Sequence, residues 1–104
     1  MECAFCKIYN QKLPAKIIYQ NNILSCFLPR NMEVYGHLLV IPNKHFENIF
    51  DIPEEELTHI IKFTKKISLH LKECLGATGI NILHASGKSA QQSVPHFHIH
   101  IFPR

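Results

Sequence analysis

The chain has 104 residues, of which 46% are hydrophobic and 18% charged, and it carries a net charge of +3 with its histidines neutral. That balance suits one packed domain over residues 1–104 and excludes a disordered chain. No apolar run approaches the ~20 residues that span a bilayer, and no basic-then-apolar leader opens the chain, so a cytoplasmic protein without a membrane partner is expected.

Residues 3–8 read as a short turn or helix. Within them Cys3 and Cys6 form a C-x-x-C. In a reducing compartment this spacing points to metal or redox chemistry rather than a structural disulfide. Cys26 and Cys74 are expected to be small core residues. Residues 17–19 read as a strand, 20–22 as a turn and 23–28 as a second strand, so the pair forms a hairpin. After a loop over 29–36, residues 37–41 form a strongly apolar strand that Pro42 stops.

A long helix begins near Asp51, with Asp51 as its cap, Glu54 three residues later and Pro53 in the first turn. Leu57, Ile60, Ile61, Ile67, Leu71 and Leu75 follow helical spacing, and Gly76 ends the helix. His59 and His70 read as surface residues without a role, and His37 and His84 as structural. Residues 80–83 form a fourth strand. Strands gathered around one long helix predict an α+β fold with a mainly antiparallel sheet.

The last strand carries the strongest signal. His96, His98 and His100 alternate with Phe97, Ile99 and Ile101. Successive side chains of a strand point to opposite faces, so the three histidines share one face and the apolar residues enter the core. Histidine can act as base, nucleophile or metal ligand near neutral pH, which makes this row a candidate reaction centre. The loop over 87–95 runs straight into it. Its small residues let backbone N–H groups approach an anion, Lys88 adds positive charge and Ser93 a hydroxyl. The basic residues elsewhere are scattered, which favours a small phosphate-bearing ligand over an extended nucleic acid. A zinc site can also be drawn from Cys3, Cys6, His45 and one of the strand histidines.

Together these residues resemble the histidine-triad (HIT) superfamily of nucleotide hydrolases and transferases. Its signature, His-φ-His-φ-His-φ-φ with φ apolar, is met without mismatch from His96 to Phe102. Positions 3–8 look like the family's opening, 36–45 are similar to its G-H-x-L-V-I-P-x-x-H segment, and Gln92 and Val94 occupy its Q-x-V. The resemblance implies a five-stranded HIT-like fold with a short N-terminal element.

It also implies the chemistry. His98 would attack the α-phosphorus of a nucleoside 5′-monophosphate derivative, such as a purine nucleoside phosphoramidate, to give a nucleotidyl-histidine that water then hydrolyses. His100 would hydrogen-bond a phosphate oxygen, Ser93 would serve the leaving group, and Gln92 with the backbone around Val94 would hold phosphate oxygens. In zinc-containing members the first triad histidine is a ligand, which here gives Cys3, Cys6, His45 and His96 as a structural Zn²⁺ site. Members are usually homodimers with a sheet continuous across both chains.

The chain departs from the pattern in several places. Pro29, followed by Arg30, stands where members have a ribose-binding Asp. Ala85 replaces an Asn, Gln91 replaces a Gly of the phosphate loop, and the sequence stops at Arg104, short of the tail many members have. The alternatives are a dinucleoside-polyphosphate hydrolase, a nucleotide-binding or partner-binding module with incidental turnover, and a pure metal-binding protein. The last predicts more than one zinc per chain, whereas the triad reading predicts one.

Overall fold

The computed structural model describes residues 3–104. Among them, five strands form one antiparallel sheet: β1 (Lys16–Gln20), β2 (Leu24–Leu28), β3 (Leu38–Pro42), β4 (Ile80–Leu83) and β5 (Ile99–Pro103). Their spatial order is β1-β2-β3-β5-β4, so the chain's last strand inserts between the third and the fourth. This matches the expected α+β architecture. A short helix, α1 (Ala4–Tyr9), precedes the sheet, and a long one, α2 (Glu54–Leu75), connects β3 to β4. No described helix is long and apolar enough to cross a membrane.

The sheet has two differently built faces. On one, α2 presents Ile60 and Leu71, flanked by the half-buried Leu57, Phe63 and Ile67. They meet Leu38 and Val40 of β3 and the row Phe97, Ile99 and Ile101, whose alternation thus buries one side of the last strand as its sequence predicts. On the other face, α1 packs Cys3 and Phe5 against Phe27, Leu39 and Ile41. This second cluster is small, and it leaves the β3–β5 part of that face for the histidines.

Several local expectations give way to stronger competitors. Asp51 does not cap α2. Its carboxylate accepts the N–H groups of Glu47 and Asn48 at 3.0 and 2.8 Å, closing the preceding loop instead. The cap is Pro53, without a side-chain bond, and Glu54, Glu55 and Glu56 complement the positive end of the helix. Pro42 does not stop β3 before itself: it pairs with Leu24 as the last residue of the strand. There its missing N–H breaks no further rung, and Asn43 carries on by donating to the Ile23 carbonyl at 2.8 Å. Cys74 is exposed rather than core, and Ile61 and Leu75 are about half exposed, because the apolar stripe of α2 is narrower than spacing alone suggests. Cys26, by contrast, is fully buried, and Gly76 ends α2 in the left-handed region at φ 72°.

Candidate active site and metal centre

The triad residues sit where an irregular extended segment becomes β5. His96 N–H bonds to Val94 O, and Phe97 N–H to Phe46 O. Ladder pairing with β3 covers Ile99 to Ile101, with His100 opposite Leu39. The alternation nevertheless begins at His96. All three imidazoles lie on the α1 side of the sheet, because the intervening residues fill the α2 side.

His96 and His98 are buried, and His100 is half-buried. Nδ1 of His98 donates to the His96 carbonyl at 2.7 Å, which fixes the tautomer and leaves Nε2 with its lone pair and no hydrogen-bond partner among the described residues. Burial lowers the His98 pKa, with smaller opposed contributions from that hydrogen bond and from His84. The ring is therefore a neutral imidazole at pH 7. Phe5 meets it edge to face at 5.1 Å, and His100 does the same on another side at 5.1 Å.

His100 belongs to a chain of hydrogen bonds that sequence reading missed. The Glu33 N–H donates to Nδ1 of His37 at 3.3 Å, and Nε2 of His37 lies 2.9 Å from Nδ1 of His100. His37 is only 3% exposed, and burial lowers its pKa against the opposing charge of Glu33. Burial, followed by the neighbouring His98, His37 and His84, lowers His100 to about 4. Two neutral rings in series leave the His100 proton on Nε2. The available signal was the placement of His37 two residues before Leu39, on the same face of the strand. His84 braces the other side: its Nδ1 donates to the His98 carbonyl at 2.9 Å, Ser86 Oγ bonds its Nε2, and its ring stacks on Phe97 at 4.4 Å.

The loop before the triad contains a single 3-10 turn (Lys88–Ala90) followed by Gln91 in the left-handed region at φ 66°. Gln92 is committed to the loop itself. Its Oε1 accepts from Gly87 N–H, and its Nε2 donates to the carbonyls of Glu47 and Val94 at 2.6 and 2.9 Å. Gln92 thus shapes the loop from within, with both ends of its amide engaged. Ser93 is exposed, with no hydrogen bond to its hydroxyl among the described residues, and Val94 packs against the α1 cluster. Beside the triad, a cleft of about 790 Å³ is walled by Phe5 and Ile8 of α1, Phe27 of β2 and Leu39 of β3. Pro29 also lines it, so no carboxylate occupies that wall.

The metal ligands expected from the sequence converge. The ligand atoms of Cys3, Cys6, His45 and His96 all lie within 4.8 Å of one another. Nδ1 of His96 is 3.4 Å from Cys3 Sγ and 3.6 Å from Cys6 Sγ, and Nδ1 of His45 is 3.3 Å from Cys6 Sγ. A tetrahedral zinc with bonds of about 2.0–2.3 Å has ligand-to-ligand edges of roughly 3.3–3.8 Å, and these three separations fall within that range, so the donor set suits the ion. Nε2 of His96 donates to the Pro42 carbonyl at 2.9 Å. That bond directs Nδ1 to the metal position, as outer partners of metal-binding histidines do.

The HIT domain family profile matches residues 10–104, and the chain belongs to the HIT family. It is 44% identical over 102 residues to an uncharacterized HIT-like protein of Methanocaldococcus jannaschii, covering 98% of this chain and 78% of that one. It is 32% identical over 102 residues to an adenosine 5′-monophosphoramidase of Saccharomyces cerevisiae, covering 98% of this chain and 62% of the yeast protein. Among solved structures, a zinc-bound histidine triad family protein of Mycobacterium smegmatis superposes with a TM-score of 0.94 at 35% identity, over 100% of this chain and 76% of that one.

Proposed function

We propose that this chain is a nucleotide hydrolase that attacks the α-phosphorus of a nucleoside 5′-monophosphate derivative, with a purine nucleoside phosphoramidate as the leading substrate. The observation that carries the reading is the tautomer of His98: a buried, neutral ring held through Nδ1, with Nε2 free to form a bond. In the first step the Nε2–phosphorus bond forms as the phosphorus–nitrogen bond to the leaving group breaks. The departing amine takes up a proton from solvent water through the exposed Ser93 hydroxyl. The Nε2–H of His100 donates to a phosphate oxygen as charge develops. Water then attacks phosphorus and gives a proton to solvent as the phosphorus–Nε2 bond breaks, so that His98 leaves as a neutral base and the mononucleotide is released. The apolar cleft beside the triad is a suitable seat for the base.

Cys3, Cys6, His45 and His96 would hold a structural zinc, which would pin α1 against the catalytic strand. The zinc-bound relative supports this reading. We also propose a homodimer. The outer strand β4 exposes Ile82 and Leu83, each more than half accessible, beside Ile61 and Leu69 of α2. A groove of about 420 Å³ separates the two elements, and Ser68 Oγ is buried in it without a partner among the described residues. A second copy would cover this face and extend the sheet. Sedimentation of Ile82→Arg against the wild type tests it.

The central experiment is hydrolysis of adenosine phosphoramidate by the wild type and by His98→Ala, followed by phosphorus NMR. Formation of AMP that the variant abolishes is the expected result. A folded, zinc-loaded wild type that binds AMP but turns nothing over would favour the alternative of a nucleotide-binding module, which the presence of Pro29 in the cleft supports.

A further inference from the structure

The cleft beside the triad is apolar throughout except for two residues, Lys16 and Arg30. Both stand at its β1–β2 end. Lys16 pairs with Leu28 across the ladder, and Arg30 follows two positions after Leu28. Neither has an ion pair or hydrogen-bond partner among the described residues. Among the described residues the lining contains no Asp or Glu. No triad residue lines the cleft, but two of its walls adjoin the triad: Phe5 is also the ring packed on His98, and Leu39 pairs with His100. Phe27 in turn pairs with Leu39. Arg30 follows β2, two ladder spacings from β5, and Lys16 stands on β1, one spacing further.

Two cations without a counter-charge at one end of an otherwise apolar cleft recognise an anion. Sugar hydroxyls are neutral, and the side chains at this end offer them no acceptor. A phosphate monoester, in contrast, matches the planar guanidinium fork in two parallel, charge-assisted hydrogen bonds, and the lysine adds a second positive charge. We infer that this site is selective for nucleoside 5′-phosphate derivatives that carry a second phosphate on the ribose 2′ or 3′ position, with Arg30 as the specificity-determining residue and Lys16 assisting. The inference rests on the reading that places the nucleoside in this cleft with its 5′ phosphorus at His98.

The test is calorimetric titration of adenosine 5′-monophosphate, adenosine 3′,5′-bisphosphate and adenosine 2′,5′-bisphosphate into zinc-loaded wild type, Arg30→Ala and Lys16→Ala. One bisphosphate is expected to bind about tenfold tighter than the monophosphate, the size of one charge-assisted contact. Which bisphosphate does so identifies the position. The ratio is expected to fall towards one in Arg30→Ala, to fall part of the way in Lys16→Ala, and to shrink in high salt. If the monophosphate binds the wild type as tightly as both bisphosphates, the inference is overturned and the hydrolase reading stands. A bisphosphate advantage that survives intact in Arg30→Ala overturns it equally. If none of the three binds, the nucleotide reading falls and the inference with it, an outcome distinct from the others because monophosphate binding is lost as well.

Discussion

His37 Nε2 and His100 Nδ1 lie 2.9 Å apart, and the backbone N–H of Glu33 decides which of them donates. By occupying Nδ1 of His37, it places that ring's proton on Nε2. His100 must then accept at Nδ1 and keep its own proton on Nε2, the nitrogen without a protein partner. His37→Phe retains a buried ring of similar size but removes the donor. We expect kcat for adenosine phosphoramidate to fall roughly ten- to hundredfold, with KM less affected, the size of effect seen when the outer partner of a metal-binding histidine is removed. His37→Gln, which can still donate, should recover part of the loss. Equal kcat in wild type and His37→Phe would remove His37 from the site's machinery.

Metal content separates the structural zinc from the pure metal-binding alternative. The wild type is expected to hold one zinc per chain by elemental analysis, leaving His98 and His100 free, whereas more than one would favour the alternative. Cys6→Ala removes one of four ligands and should lose the ion. A structural zinc contributes directly to folding, so the variant should lose about 2 kcal/mol or more, a drop in Tm of roughly 8–16 °C for a chain this size. Thermal unfolding of the wild type with and without a chelator should reproduce the shift.

Gln91 occupies the left-handed region at φ 66° in the loop that leads to the triad. A side chain there strains the backbone, and glycine relieves the strain while adding freedom to the unfolded chain. The first effect is the larger, so Gln91→Gly is expected to stabilise the protein by about 0.5–1 kcal/mol. Urea unfolding checks the sign. A loss of stability would mean that the Gln91 side chain makes a compensating contribution.

Acid should destabilise the fold in a defined window. His100 has a folded pKa of about 4 against an ordinary value of 6.5, chiefly through burial, and His37 is lowered in the same direction. Between those values the unfolded chain binds protons that the folded one refuses. Stability from this source is complete above pH 6.5, declines below it and is lost as pH falls through about 4. Allowing for the water that reaches this half-buried ring, His100 accounts for roughly 1–2 kcal/mol of the decline. His100→Asn should flatten the denaturation midpoint against pH in that window, and an unchanged slope would refute the assignment.

Phe97, Ile99 and Ile101 show which parts of this fold can be read from the chain. Their two-residue period survives because β5 is an interior strand with one face wholly buried. Asp51 misled because two loop N–H groups lay closer to it than the helix end did. Cys74 follows Leu71 by three positions and yet is exposed, so helical period alone overstates the core. The insertion of β5 between β3 and β4 has no local signature, and neither does the pairing of Leu39 with His100, which is why the place of His37 in the triad network stayed hidden. Cys3, Cys6 and His45 can be drawn together with one of the strand histidines, but the choice of His96 comes only through the family resemblance. C-x-x-C and two distant histidines do not specify their own meeting point.

Helix α1 has six residues, far below the length at which a helix holds itself in water. Its cap is Cys3 and it also carries Cys6, while its Phe5 and Ile8 form one wall of the cleft. An ion on the two thiolates and a nucleoside against Phe5 would thus draw on the ordering of the same few residues. Thermodynamic reciprocity then requires that whatever factor zinc adds to nucleotide affinity, bound nucleotide adds to zinc affinity. Where zinc raises nucleotide affinity, bound nucleotide would hold the zinc against a chelator by the same factor.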